Sequence, residues 1–439
     1  LNTRLKFVFV GITTLFAAAL LVGQVVGRAS NPEDAYRHLA VFTDVLSRIK
    51  SEYVEEPDMK SVTIGAVNGL LEAVDPYASY LNADQYKQYV KQKDLKKASV
   101  GLVLSKRFGY ISVVDAIPGS AADKAGLTTG DMIETINSVA TRDMPLAFAE
   151  LLLQGDAGTT IDLSVLRVRK PEPTKMTLTR AMVVLPAITS KLLADGVGHI
   201  RVQSLEDGKT AQVAAAIKDM EKQGAKKLVL DLRHSAFGTP EEGVALANLF
   251  LDKGLITYSQ GQRYSRKNFE ASASNQIWKL PLVVLTNRST TSGAEVAAGA
   301  LLDLKRAEVV GERTYGDAAK REAIGMEDGS AVILAVAKFY HANGKSIQEA
   351  AVVPSRVVVD TSAAAPSEDE DEDGVVPEKG PPPNPLGTQE PKPLGIKETK
   401  DQPKKTDVDV ILKNALEVLN GTAKASTPTR ATGRATDAA

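Results

Sequence analysis

Ser292 opens a small-residue run, Gly293-Ala294-Glu295-Val296-Ala297-Ala298-Gly299-Ala300-Leu301, that reads as a helix. By its own chemistry a serine there is a helix cap, and the N–H groups beside it lie at the positive end of the helix. Asp317 and Arg321 are four residues apart, so on an extended segment they share a face and can form an ion pair. Val100-Gly101-Leu102-Val103 is a loop that can offer successive backbone N–H groups to a peptide's terminal carboxylate while the peptide adds as a strand. There is no cysteine, which excludes thiol nucleophiles, disulfides and cysteine metal sites. The four histidines, His38, His199, His234 and His341, stand at no metal-ligand spacing, so neither metal nor other cofactor is expected.

These residues need elements to hold them. Apolar positions recur at three and four over Ala40–Ile49 and again around Val62–Val74, where Asp75-Pro76 ends the pattern, so residues 35–97 read as helical. Residues 98–185 carry short β-like runs, Val100–Leu104 and Ile161–Leu166, punctuated by Gly and Pro. Residues 186–360 alternate compact apolar runs, Leu228–Leu232 and Leu282–Leu285, with helical stretches at Pro240–Leu251 and Ser292–Leu302. This is the pattern of a buried sheet with crossover helices. Residues 361–439 begin with an acidic run, Glu368–Asp373, and a proline-rich stretch, a composition that reads as a disordered tail. One short amphipathic helix is expected within it at 408–419, able to dock on the core or on another subunit.

Composition narrows the class. A hydrophobic content of 43%, a charged content of 24% and a net charge of -1 fit globular domains and give no support to nucleic-acid binding. Arg4 and Lys6 precede an apolar run from Phe7 to Val26, about the length that spans a bilayer as a helix. An uncleaved transmembrane anchor is expected at 7–26. That makes the chain a single-pass protein of a bacterial inner membrane, with its bulk in the periplasm or another extracytoplasmic space.

Two resemblances sharpen this picture. Pro118-Gly119-Ser120-Ala121-Ala122-Asp123-Lys124-Ala125-Gly126-Leu127, followed by Gly130-Asp131-Met132-Ile133, resembles a PDZ domain of the bacterial protease type. Over residues 35–360 the chain is similar to the carboxy-terminal processing (tail-specific) serine peptidases. The matching segments are Asp75-Pro76-Tyr77-Ala78-Ser79-Tyr80-Leu81, Gly198-His199-Ile200-Arg201-Val202, Leu230-Asp231-Leu232-Arg233, Gly311-Glu312-Arg313-Thr314-Tyr315-Gly316, and Ser346-Ile347-Gln348 with Val353-Pro354. The resemblance implies an α/β (α+β) peptidase core with an inserted β-rich PDZ domain, polypeptide substrates or protein C-termini as partners, and homo-oligomers as an open possibility.

Position by position, the resemblance puts Ser292 on the nucleophile, and Gly293 and Gly238 on the oxyanion donors. A serine hydroxyl needs a base, here a lysine whose burial lowers its pKa. The lysine position is Asp317, and the glutamine that supports it is Arg321. Aspartate is a poor base for a hydroxyl, and arginine stays protonated. Phe237 stands where the family has a glycine. The expectation is a polypeptide-binding protein with an impaired peptidase site. Its alternatives are an active serine endopeptidase with a non-standard base and a plain PDZ adaptor. Two substitute bases are open: Lys320, if a bulge turns it inward, and His234, in a Ser292–His234–Asp317 arrangement.

Overall fold

The computed structural model describes residues 32–92, 97–107, 109–142, 144–167, 170–359 and 409–421. The chain divides into two compact units, 1–69 and 70–439. In the first, the helix Pro32–Glu52 carries an exposed ion pair between Arg48 and Asp44 at 3.2 Å. A helix Met59–Val74 leads out of it and stops before Asp75-Pro76, as the sequence pattern indicates.

The second unit is built on three sheets. The central sheet has the strands Arg356–Val357, Glu308–Gly311, Leu282–Thr286, Lys227–Asp231 and Val197–Arg201 in parallel, with Thr189–Leu192 antiparallel at one edge. Strand side chains alternate between faces, so a sheet covered on both sides needs apolar residues at every position. Leu228, Leu230, Leu282, Val284 and Val309 face a core shared with Val213, Ile217, Leu246, Phe250, Val296 and Leu301. Val197, Val229, Val283, Leu285 and Val310 face the other way, onto Ile411 and Ala415 of the helix Val410–Leu419. The helix expected at 408–419 therefore packs on the core of its own chain.

The PDZ-like sheet runs Leu102–Arg107, Tyr110–Ala116, Met132–Ile136, Thr160–Arg167, Lys170–Thr179. Ser120 caps the short helix Ala121–Lys124, and Gly126 follows it in the left-handed region at φ 71. Leu102–Arg107 is an edge strand of this sheet. The third sheet is antiparallel: Ala331–Tyr340 pairs with Ser79–Leu81, Leu255–Gln260 and Ala319–Gly325.

One expectation needs correction. Among the described residues no helix is long and apolar enough to cross a membrane, so single-pass placement in an inner membrane is not supported. The run 7–26 lies outside the described residues, as do 361–408 and 422–439 of the expected tail.

Candidate functional site

Three segments leave the carboxyl ends of adjacent parallel strands and meet: 232–238 after Lys227–Asp231, 287–292 after Leu282–Thr286, and 312–317 after Glu308–Gly311. Crevices at that end of an open parallel sheet are the usual place for ligands. A cleft of about 730 Å³ lies there, bordered by Ser292, Asp317, Arg321, Phe237 and Gly238, and on the PDZ-like side by Val103 and Leu104.

Ser292 begins the helix Ser292–Asp303 with φ 49, a left-handed conformation that a side chain resists. Its N–H is held twice, by the Asp317 carbonyl at 2.9 Å and by Glu295 Oε2 at 3.1 Å. Its hydroxyl donates to the Gly238 carbonyl at 3.1 Å. Among the described residues no acceptor meets the N–H of Gly293 or of Gly238. Both glycines are forced by close approach. A Cβ on Gly293 would lie 2.2 Å from the Thr239 carbonyl, and one on Gly238 2.3 Å from the Leu205 carbonyl. The left-handed backbone of the loop thus sits at His234, with φ 58, and at Gly238, with φ 145, and not at Phe237. That is why a phenylalanine is accommodated at 237, where its half-exposed ring borders the cleft.

Asp317 and Arg321 form an ion pair. Arg321 Nη2 donates to Asp317 Oδ1 at 2.5 Å, and the guanidinium lies 4.2 Å from the Tyr77 ring centre. Burial pushes the Asp317 carboxyl above its ordinary value, against the pull of Arg321. Asp75, almost fully buried, accepts the Tyr77 N–H and the Gln348 amide, each at 3.0 Å, and adds a second negative charge near Arg321. Asp75-Pro76-Tyr77 therefore builds the wall behind the pair.

Neither substitute base reaches Ser292. A bulge does fall between Lys320 and Arg321, yet the Lys320 ammonium pairs with Glu322 at 2.8 Å, beside the Tyr264 ring. His234 is turned to Asp115 through Nδ1 and to the Asn287 amide through Nε2, both at 3.1 Å. The proposed Ser292–His234–Asp317 arrangement is not formed, because Asn287 and Asp115 occupy both ring nitrogens. In the segment 100–103, expected to hold a peptide carboxylate, Val100 is fully buried in the PDZ-like core and its carbonyl accepts the Ala122 N–H. Gly101 takes φ 80, and its N–H goes to Ser99 Oγ at 3.2 Å. Of the four loop residues, Val103 borders the cleft.

Glu295 is the residue that the sequence reading passed over. It is completely buried, and its two oxygens accept from Gly316 N–H and Asp317 N–H at 2.7 Å each, from Ser292 N–H, and from the Thr314 hydroxyl. Burial pushes its carboxyl up to about 7 even against these donors. One side chain thereby sets the serine against the 314–317 segment. Ser292-x-x-Glu295 is a capping-box spacing, a signal present in the sequence.

A parallel sheet with a helix-borne serine at its carboxyl end, two N–H donors without an acceptor among the described residues, and a PDZ-like module across the cleft define a serine-peptidase scaffold. Peptidase family S41 matches residues 196–358, and the PDZ domain family matches residues 112–167. The C-terminal processing peptidase of the Tetradesmus obliquus chloroplast is 31% identical over 330 residues, covering 70% of each chain. The carboxy-terminal-processing protease of Bartonella bacilliformis is 28% identical over 358 residues, covering 80% of this chain and 82% of its own. The solved photosystem II D1 C-terminal processing protease superposes with a TM-score of 0.61 at 26% identity, over 73% of this chain and 92% of that one. The chain belongs to the carboxy-terminal-processing peptidases of family S41 and carries their PDZ domain.

Proposed function

We propose that this chain binds extended polypeptides or protein C-termini in the cleft and has lost the proton-transfer step of its family. In this reading a PDZ domain over 98–185 and a peptidase-like core over 186–360 share one polypeptide track. Ser292 stands at the nucleophile position, with the N–H groups of Gly293 and Gly238 left to polarise a carbonyl. The observation behind the reading is the Asp317–Arg321 pair, 2.5 Å long, in the slot where a neutral amine would stand. Burial raises the Asp317 carboxyl, yet its Oδ1 is engaged by the Arg321 guanidinium, and the Ser292 hydroxyl donates to the Gly238 carbonyl and not to this carboxylate. The edge strand Leu102–Arg107 and the apolar Val103, Leu104 and Phe237 suit a peptide that adds as a strand and buries alternate side chains.

The test uses β-casein, an unstructured protein. The wild type is expected to bind it without cleavage, and Ser292→Ala to bind it equally well. Asp317→Lys with Arg321→Gln is expected to introduce cleavage that Ser292→Ala abolishes. Cleavage by the wild type that Ser292→Ala removes overturns the reading in favour of an active endopeptidase. Absence of any binding overturns the polypeptide track.

A further inference from the structure

The helix Val410–Leu419 does more than cover apolar strands. Asp409 caps it, accepting the Leu412 N–H at 2.9 Å, and also reaches into the core. Its two oxygens accept from Arg233 Nη1 and Nη2 at 2.9 and 2.8 Å. The same guanidinium is bidentate to Asp231, at 2.8 and 2.7 Å, and Asp231 in turn meets His199 at 3.1 Å. At the other end of the helix, Asn420 accepts from the Lys227 ammonium at 2.7 Å, so the helix spans the strand Lys227–Asp231 from end to end.

Arg233 is where that strand becomes the cleft loop. Beyond it the chain is laced to the serine segment. Thr291 N–H donates to the Ser235 carbonyl at 3.1 Å, Thr291 Oγ1 to the Ala236 carbonyl at 3.2 Å, and Ser292 Oγ to the Gly238 carbonyl at 3.1 Å. A mostly buried guanidinium pinned on two sides fixes the point from which the loop departs. Released on one side, it can swing with the loop.

We propose that Asp409 and Arg233 are positioning residues for the cleft: the docked C-terminal helix holds loop 233–238 against Ser292 through this bidentate ion pair. The hold is lost when the helix leaves the sheet. The tail thus acts on the polypeptide site from the opposite face of the sheet. This rests on the cleft being that site, but its central measurement does not.

The experiment is hydrogen exchange on the full chain, read at amides 233–238 and 410–419. Asp409→Asn keeps a good cap but removes the charge, and Asp409→Glu keeps the charge. With Asn, amides 233–238 are expected to exchange about five-fold faster, a modest factor because the Asp409 side chain is 39% exposed. With Glu they stay near wild type, and in both variants 410–419 remains protected. Ile411→Asp buries a charge under the helix and undocks it, so both segments accelerate. Unchanged exchange at 233–238 while 410–419 exchanges freely in Ile411→Asp would overturn the proposal. β-Casein affinity is measured alongside and should fall with the Asn variant and recover with Glu. If the wild type does not bind β-casein, the polypeptide reading fails while the exchange result still decides the coupling.

Discussion

Arg321→Gln removes the cation paired with Asp317 and leaves that carboxylate beside Asp75 and Glu295. The two partners are 2.5 Å apart, with side chains 24% and 22% exposed. Two unit charges about 4 Å apart at an effective dielectric of about 20 attract by about 4 kcal/mol, before desolvation is subtracted. Breaking a fully buried pair costs about 3–5 kcal/mol, and an exposed one about 0–1. At a quarter exposure the expected cost of Arg321→Gln is about 2 kcal/mol, including the stacking on Tyr77. Asp317→Asn should cost less, about 1 kcal/mol, because Arg321 keeps Tyr77 and the nearby charge of Asp75. Urea denaturation of the wild type, both single variants and the double variant gives the coupling directly, expected at about 1 kcal/mol with unchanged m-values. A coupling indistinguishable from zero would refute the idea that this pair has taken over the slot as a structural contact.

Two further outcomes follow from the same site. The raised Glu295 pKa, about 7 in the folded chain against 4.5 as its ordinary value, means that the folded protein binds the extra proton between those values. Stability should therefore fall as pH rises from about 4.5 to about 7, by at most about 3 kcal/mol. Glu295→Gln should flatten that part of the stability–pH curve in urea titrations. It should also cost about 2–4 kcal/mol, since an amide nitrogen would face N–H donors that now meet an oxygen. Ser292→Gly should melt above Ser292→Ala, by about 1 kcal/mol in stability, because only glycine relaxes at φ 49.

Much of the scaffold can be read from short-range patterns. Leu282–Thr286 and Lys227–Asp231 are strands because their short apolar runs, Leu282–Leu285 and Leu228–Leu230, suit a sheet buried on both faces. The helix after Ser292 follows from its small residues, and Ser120 and Gly126 mark the limits of theirs. The Asp317–Arg321 contact was visible as a spacing of opposite charges. Other features are not local. The choice of Asp115 as a partner of His234 depends on where the PDZ-like sheet lies against the loop, 119 residues away, and that of Asn287 on the neighbouring strand of the central sheet, 53 residues away. The burial of Val100 depends on the strands that close over it.

What the sequence alone determined is the set of groups present at the site: a serine at a helix start, an acid and an arginine four residues apart, and glycines where backbones must touch. Only the tertiary structure decided which of them meet. Burial of Glu295 behind the serine, Asp75 and Tyr77 behind Arg321, and Asp409 on Arg233 each join segments far apart in the chain. Side-chain hydrogen bonds and ion pairs act over about 3 Å, so their partners are fixed by packing, and no periodicity along the chain encodes them.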